Sequence, residues 1–214
     1  TNITRLIPSV PGYVYASQAD RVYVNLFISG EATLQLNKQS VRVVQKNNYP
    51  WQGNLSFTIT PQSVKPFEFL IRLPGWSKQQ AIPSDLYVFQ QPSSEKPTVK
   101  VNGTAVDYTM EKGYAILKRS WKKGDVVEVM LPMPVNRLKA NERLADNIGK
   151  VAFQRGPLMY CAEWPDNNGA TSGLVMPESV SLTAEFKPEL LNGVTVLTGE
   201  TSVVEFTPTQ VLTH

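Results

Sequence analysis

The chain carries one cysteine, Cys161, and one histidine, His214, in 214 residues. A single thiol forbids an internal disulfide and cannot build a metal site by itself. With the only histidine at the last position, the commonest general base and zinc ligand is scarce. Charge is sparse as well: 18% of residues are charged, and 21 basic against 18 acidic groups leave a net +3. No arginine-rich stripe accompanies that mild excess, and the Lys122–Lys123 pair reads as a solvated turn, so nucleic acid is not an expected partner. Long apolar runs are missing too. None approaches the roughly 20 residues of a membrane helix, so no membrane partner is expected. Residues 1–10, TNITRLIPSV, lack both a methionine and the apolar h-region of a signal peptide, and they read as the cut start of something longer. No repeat of fixed period is visible.

What is present points one way. The chain is 42% apolar with 16 prolines and 13 glycines, too rich in aliphatic and aromatic residues for disorder and suited to frequent turns. Its length allows one large β domain or two small ones. The segments GYVYAS, RVYVNLFISG, ATLQL, SVRVVQ and NLSFTIT alternate apolar and polar residues with period two, separated by Gly, Asn or polar pairs. PFEFLIRLPGW follows, and then residues 77–97 form the longest irregular stretch, a loop or insertion around the small run at residues 86–89. In TVKVNGTAVDY, Asn102-Gly103 between two alternating runs predicts a type I′ hairpin.

Residues 113–132, GYAILKRSWKKGDVVEVMLP, hold two apolar runs joined by a polar bend at Trp121, Lys122, Lys123, Gly124 and Asp125. Pro132 and Pro134 end a central strand and mark a domain boundary. Beyond them, KVAFQRGPLMYCAEW contains two runs split by Gly156-Pro157, and weaker strands are expected at residues 180–186, 194–197 and 203–206. The fold class is therefore all-β, two antiparallel sandwiches of jelly-roll type. Residues 12–133 make the first, and residues 134–214 the second and smaller. At the start, Ile3, Leu6, Ile7 and Val10 fall at helical spacing, with Asn2 as cap, Pro8 limiting the helix and Pro11-Gly12 ending it. Residues 1–11 thus read as the tail of a missing helical domain, with an apolar face that needs a partner.

Candidate chemistry is thin. Glu68, Asp107, Asp125, Glu128, Glu163 and Asp166 are scattered; a glycosidase needs two carboxylates flanking a sugar, and only Glu163 and Asp166 are close in sequence. Solvated loop acids are the default reading of that pair. Cys161, in an apolar run without a neighbouring histidine, reads as a buried small hydrophobe. Trp51, Trp76, Trp121 and Trp164 all fall at strand ends or turns, where an aromatic can stack on a sugar or plug the end of a sandwich; plugging is the favoured reading. Arg72 and Arg155, beside Leu-Pro-Gly and Gly-Pro, read as partners of carboxylates at a domain seam. Asn2, Asn54 and Asn102 begin glycosylation sequons, a pattern frequent by chance.

Several segments, in order, resemble one family. TNITRLIPSVPGYVYA, RVYVNLFISG, Tyr49-Pro50-Trp51-Gln52-Gly53 and Ile71-Arg72-Leu73-Pro74-Gly75-Trp76 open the set. Val101-Asn102-Gly103, Gly113-Tyr114, Trp121-Lys122-Lys123-Gly124-Asp125 and VAFQRGPLMY at residues 151–160 complete it. Together they are similar to the C-terminal part of the β-L-arabinofuranosidases of glycoside hydrolase family 127 and their relatives, a group long called a domain of unknown function. The likeness runs over residues 1–166 and is weak after Gly173.

That resemblance implies an (α/α)-barrel catalytic domain upstream, followed by β-sandwiches. It implies retaining catalysis by a zinc-bound cysteine nucleophile and a glutamate acid/base, all held in the barrel, with a double cysteine just before the segment matching Thr1-Asn2. No catalytic residue and no zinc ligand is then expected in this chain. Residues 1–11 become the last helix of the missing barrel, and arabinose-containing glycans become the expected ligands of the whole. A bacterial parent of this kind is expected to be periplasmic or secreted. The chain departs from the pattern at its end, where a strand rich in Tyr and Trp is expected to return to the first sandwich; without it that sandwich is one strand short. Three readings follow: a non-catalytic sandwich part of such an enzyme, a carbohydrate-binding module using its tryptophans, and a structural or adhesion sandwich unrelated to sugars.

Overall fold

A computed structural model describes residues 2–167, 169, 171 and 173–204. Two short helices, α1 (Asn2–Ser9) and α2 (Pro11–Val14), lead into strands β1 (Tyr15–Gln18), β2 (Arg21–Val24), β3 (Gly30–Gln35), β4 (Ser40–Asn47), β5 (Asn54–Pro61) and β6 (Pro66–Arg72). Next come β7 (Tyr87–Phe89), β8 (Thr98–Val101), β9 (Thr104–Ala105), β10 (Thr109–Glu111), β11 (Tyr114–Ser120) and β12 (Asp125–Met130). The remainder holds β13 (Val135–Ala140), β14 (Val151–Arg155), β15 (Leu158–Tyr160), β16 (Leu174–Val175), β17 (Thr183–Lys187), β18 (Val194–Thr198) and β19 (Ser202–Val203). The chain is all-β apart from the helical start.

Two sheets face each other. The first has the order β1-β2-β6-β11-β10 and the second β3-β4-β5-β12-β8-β9. All their pairings are antiparallel except β2 with β6, which run parallel with Arg21 opposite Glu68 and Val24 opposite Ile71. Period-two alternation explains the packing between them. Val22, Val24, Phe67, Phe69, Ile71, Ala115 and Leu117 point inward from the first sheet. Val41, Val43, Leu55, Phe57, Ile59, Val99, Val101, Val127 and Val129 meet them from the second. Across that interface Phe57 and Phe69 pack edge-to-face, their ring centroids 5.7 Å apart.

The two runs of residues 113–132 do not pair with each other. β11 belongs to the first sheet and β12 to the second, so the bend between them carries the chain across the core. Trp121 fills that crossing. It is fully buried against Phe67 and Phe69, and its indole N–H donates to the Phe67 carbonyl at 3.2 Å. The turn beyond it is held by the Asp125 carboxylate, which accepts from the Lys122 backbone N–H at 2.8 Å and from the Asn102 side chain at 3.0 Å. Asn102-Gly103 closes the β8–β9 hairpin with both residues at positive φ, 52° and 78°, as its sequence predicts.

The second part is built around a four-stranded antiparallel sheet, β15-β14-β13-β7, with two ribbons, β16-β19 and β17-β18. Its edge strand β7 lies inside residues 77–97, read from sequence as a loop. Leu138, Lys139 and Ala140 of β13 pair with Phe89, Val88 and Tyr87. β13 itself is not evident in the sequence, because Asn136, Arg137 and Lys139 interrupt its apolar pattern. Asn136 is nevertheless buried, and Arg137 stacks over Phe153 and donates to the carbonyls of Met176 and Pro177. The strand expected at residues 180–186 is displaced to β17, and the end of the run at 203–206 lies outside the described residues.

Candidate functional site

The helical start presents an exposed apolar face. No residue of α1 is buried, and Ile3, Leu6 and Ile7 are 70%, 57% and 62% exposed. Pro8 sits inside the helix and Pro11 starts α2 instead of ending the helical segment, since proline at a first helical turn loses no hydrogen bond. The pair is anchored at its far end, where Val14 is buried and its carbonyl accepts from the Asn25 N–H at 2.9 Å. Full burial of a side chain such as Leu or Ile is worth about 1.5–3 kcal/mol, so covering this stripe would be favourable.

The four tryptophans do not form one platform. Trp121 is a core residue with its N–H already bonded, and no ligand can reach its face; the sugar-stacking reading fails there for steric reasons. Trp76 is half-buried and packed on the core beside Tyr49. Burial pushes the Tyr49 phenol up, while Trp76 and the nearby Arg72 charge pull the other way. Trp51 is half-buried at the seam of the two parts, where its carbonyl accepts from Arg155 Nη1 at 2.8 Å. Trp164 is 67% exposed in a 3-10 turn. Among the described residues no ring contact joins any two of them.

Arg155 therefore bridges the seam through a backbone carbonyl, not through the carboxylate expected from sequence, and Arg72 is exposed without an ion pair among the described residues. Cys161 is exposed, not buried, because β15 ends at Tyr160 and the chain leaves the sheet there. Glu163 and Asp166 are both exposed and share one tight turn, the Asp166 N–H donating to the Glu163 carbonyl at 3.2 Å. They are solvated loop acids. Zinc does not fit the residues present: among the described residues no group of three His, Cys, Asp or Glu side chains is placed to hold a metal ion. No described helix is long and apolar enough to cross a membrane.

The outer face of the first sheet gathers charges that look unrelated in the sequence. Register places Arg21, Glu68 and Lys118 in one row across β2, β6 and β11. Arg21 Nε lies 2.8 Å from Glu68 Oε2, Lys118 Nζ lies 3.8 Å from Oε1, and Arg21 Nη1 lies 3.6 Å from Glu111. A cleft of about 400 Å³ opens there, closed on its far side by Asp107, Tyr108 and Thr109. Alternation in RVYV, PFEFLIR and GYAILK marks these as outward residues, but only strand pairing brings them together. A second, larger cleft of about 720 Å³ runs along the seam, between Gln52 and Asn54 on one side and Glu95, Lys96 and Arg155 on the other.

Known proteins supply the context for this geometry. A family model described as the β-L-arabinofuranosidase GH127 middle domain matches residues 21–133, more than half of the chain. This chain belongs to glycoside hydrolase family 127. The family's C-terminal domain model continues over residues 135–208. The chain is 32% identical over 203 residues to a non-reducing end β-L-arabinofuranosidase of Bifidobacterium longum, covering 90% of this chain and 28% of that protein. A solved family 127 β-arabinofuranosidase superimposes with a TM-score of 0.89 at 39% identity, over 96% of this chain and 32% of the other. A β-L-arabinofuranosidase from Geobacillus stearothermophilus gives 0.79 at 37% identity, over 92% and 29%. The chain thus spans about a third of the length of these family 127 relatives.

Proposed function

We propose that this chain is the non-catalytic sandwich part of an enzyme that releases L-arabinofuranose from plant-type glycans, and that it buttresses an (α/α)-barrel domain carrying the chemistry. The observation that carries this reading is α1, whose apolar stripe of Ile3, Leu6 and Ile7 lies largely exposed while the relatives are about three times longer. In this reading α1 is the last helix of the barrel, the catalytic glutamate and zinc-bound cysteine lie upstream, and Cys161 has no catalytic role. Family membership argues against an adhesion sandwich unrelated to sugars. The exposed ring of Trp164 is what favours the second reading, a carbohydrate-binding module.

Incubating the chain with zinc and an aryl β-L-arabinofuranoside tests the first reading. No turnover above buffer is expected, and turnover overturns it. The upstream coding sequence is a second test: a Cys-Cys pair just before Thr1 supports the barrel, and its absence sinks it. Arabinan oligosaccharides titrated against tryptophan fluorescence separate the module reading, since loss of a saturable change in Trp164→Ala is its signature.

A further inference from the structure

Three asparagines of this chain precede glycine: Asn102, Asn168 and Asn192. Glycine has no Cβ to shield its amide nitrogen, so that nitrogen can reach the preceding side-chain carbonyl carbon and expel ammonia. Whether it does so depends on which atoms the fold holds still. Asn168 lies outside the described residues, and the other two are held in opposite ways.

At Asn102 the fold holds the electrophile. Its Nδ2 donates to Asp125 Oδ1 at 3.0 Å, and its Oδ1 accepts from the Val126 N–H at 2.8 Å. Its own backbone N–H donates to the Val126 carbonyl at 2.9 Å. Open space surrounds Gly103, so the restraint lies in the side-chain amide. Cγ cannot turn towards the Gly103 nitrogen unless both side-chain bonds break, one of them to a carboxylate. The hairpin also belongs to the six-stranded sheet that packs into the main core.

At Asn192 the electrophile is free. Its exposed side chain has no hydrogen-bond partner among the described residues. Only the nucleophile is restrained. The Gly193 N–H donates to the Leu190 carbonyl at 2.8 Å, and the Phe186 ring covers Gly193, 2.8 Å from where a Cβ would stand. Both restraints are weak. Phe186 is 41% exposed and Leu191 80%, and the turn closes a ribbon of only two strands, which is marginal by itself. Leu191, Asn192 and Gly193 hold positive φ of 48°, 65° and 104° in succession, a conformation that is costly for leucine and favours opening.

We propose that Asn192, and not Asn102, is a site of spontaneous deamidation in the folded protein. The Gly193 nitrogen loses its proton to base and bonds to Asn192 Cγ. The bond from Cγ to the side-chain nitrogen breaks, and that nitrogen takes a proton from water and leaves as ammonia. Water then opens the five-membered imide at either carbonyl, giving aspartate or isoaspartate. Water is consumed overall and nothing is oxidised. The turn gains a negative charge near Glu189 in sequence, whereas the same change at Asn102 would set a second carboxylate against Asp125.

Peptide mapping of the folded protein held in mildly alkaline buffer is the test. Breaking a bond to a carboxylate costs more than breaking a neutral one, so Asn192 is expected to convert about tenfold or more faster than Asn102. Phe186→Ala is expected to speed conversion at Asn192 alone, and Asp125→Ala at Asn102 alone. In urea the two rates are expected to converge, since both sites are then bare Asn-Gly pairs. Equal rates in the folded protein, a faster Asn102, or a difference that persists in urea overturns the proposal.

Discussion

The indole N–H of Trp121 donates to the carbonyl of Phe67 at 3.2 Å, in the middle of the core and at the point where the chain crosses between sheets. One side chain therefore ties the crossing to the strand it leaves behind. Trp121→Ala is expected to destabilise by about 3–5 kcal/mol through cavity formation. Trp121→Phe keeps most of the volume but leaves a buried carbonyl without its donor, costing about 1–3 kcal/mol. Urea midpoints at unchanged m-value are the measurement, with exposed Trp164→Ala within about 0.5 kcal/mol of the parent as the control.

Gly53 has no room for a side chain. A Cβ there falls 1.9 Å from the Leu131 carbonyl oxygen, next to the bond that Leu131 N–H donates to the Gly53 carbonyl at 2.9 Å. Backbone cannot move aside as a flexible side chain does, so Gly53→Ala is expected to cost about 3 kcal/mol, the upper end for overpacking. Gly30→Ala, with open space around it, is expected to be near neutral. Equal Tm for the two variants contradicts this account.

Burial pushes the Tyr15 phenol from 10.0 up to about 12, and its hydroxyl donates to the buried Gln45 amide oxygen at 3.0 Å. Because the folded pKa is the raised one, this group's contribution is intact below pH 10 and is lost as pH rises towards 12. Tyr15→Phe is expected to lower stability at neutral pH and to flatten the alkaline fall. A steeper alkaline fall in the variant than in the parent argues against that assignment.

At the acid end the relevant group is Asp125. Partial burial works against its charge, but hydrogen bonds from Asn102 and the Lys122 N–H outweigh it, and the pKa lies below its usual 3.8. A lowered carboxyl pKa stabilises the fold above the usual value and loses that contribution as pH falls through the folded one. Asp125→Asn is expected to weaken the turn at neutral pH and to reduce acid sensitivity below about pH 4, read from thermal melts across pH.

Arg155 is the seam's clasp. Its bond to the Trp51 carbonyl at 2.8 Å joins the second part to the first, and a charged donor of this kind is worth about 1.5–3 kcal/mol. Arg155→Met is expected to raise hydrogen-exchange rates in β14 and β15 more than in β5 or β12. Uniform loss of protection throughout the chain is the contrary result.

Much of the sandwich was legible because its signals are local. Alternation in β4 and β5 marks the inward valines, Leu55, Phe57 and Ile59, and Asn102-Gly103 announces its own hairpin. Trp121 was legible as a plug from its place at a strand end, but its full burial at the crossing was not: its sequence neighbours, Arg119, Ser120, Lys122 and Lys123, are polar, and the crossing comes from the path of the chain. β13 was hidden by Asn136, Arg137 and Lys139; the polar ends of Arg137 and Lys139 are satisfied by partners distant in sequence, Met176, Pro177 and Glu178. The charged cleft was hidden for a third reason. Arg21, Glu68 and Glu111 meet only through strand pairing, which no single segment encodes. Cys161 was misplaced because an apolar run says nothing about where its strand stops.

Strand β7 has a consequence for how this gene region can change. The family's two regions meet between residues 133 and 135, yet Tyr87, Val88 and Phe89 hydrogen-bond with β13 beyond that junction, and Asp85 and Tyr87 bind Arg143 and Asn147 there. A crossover at the junction between divergent relatives would graft a sheet onto a foreign edge strand. The two regions are expected to be inherited as a pair, exchanged together or not at all.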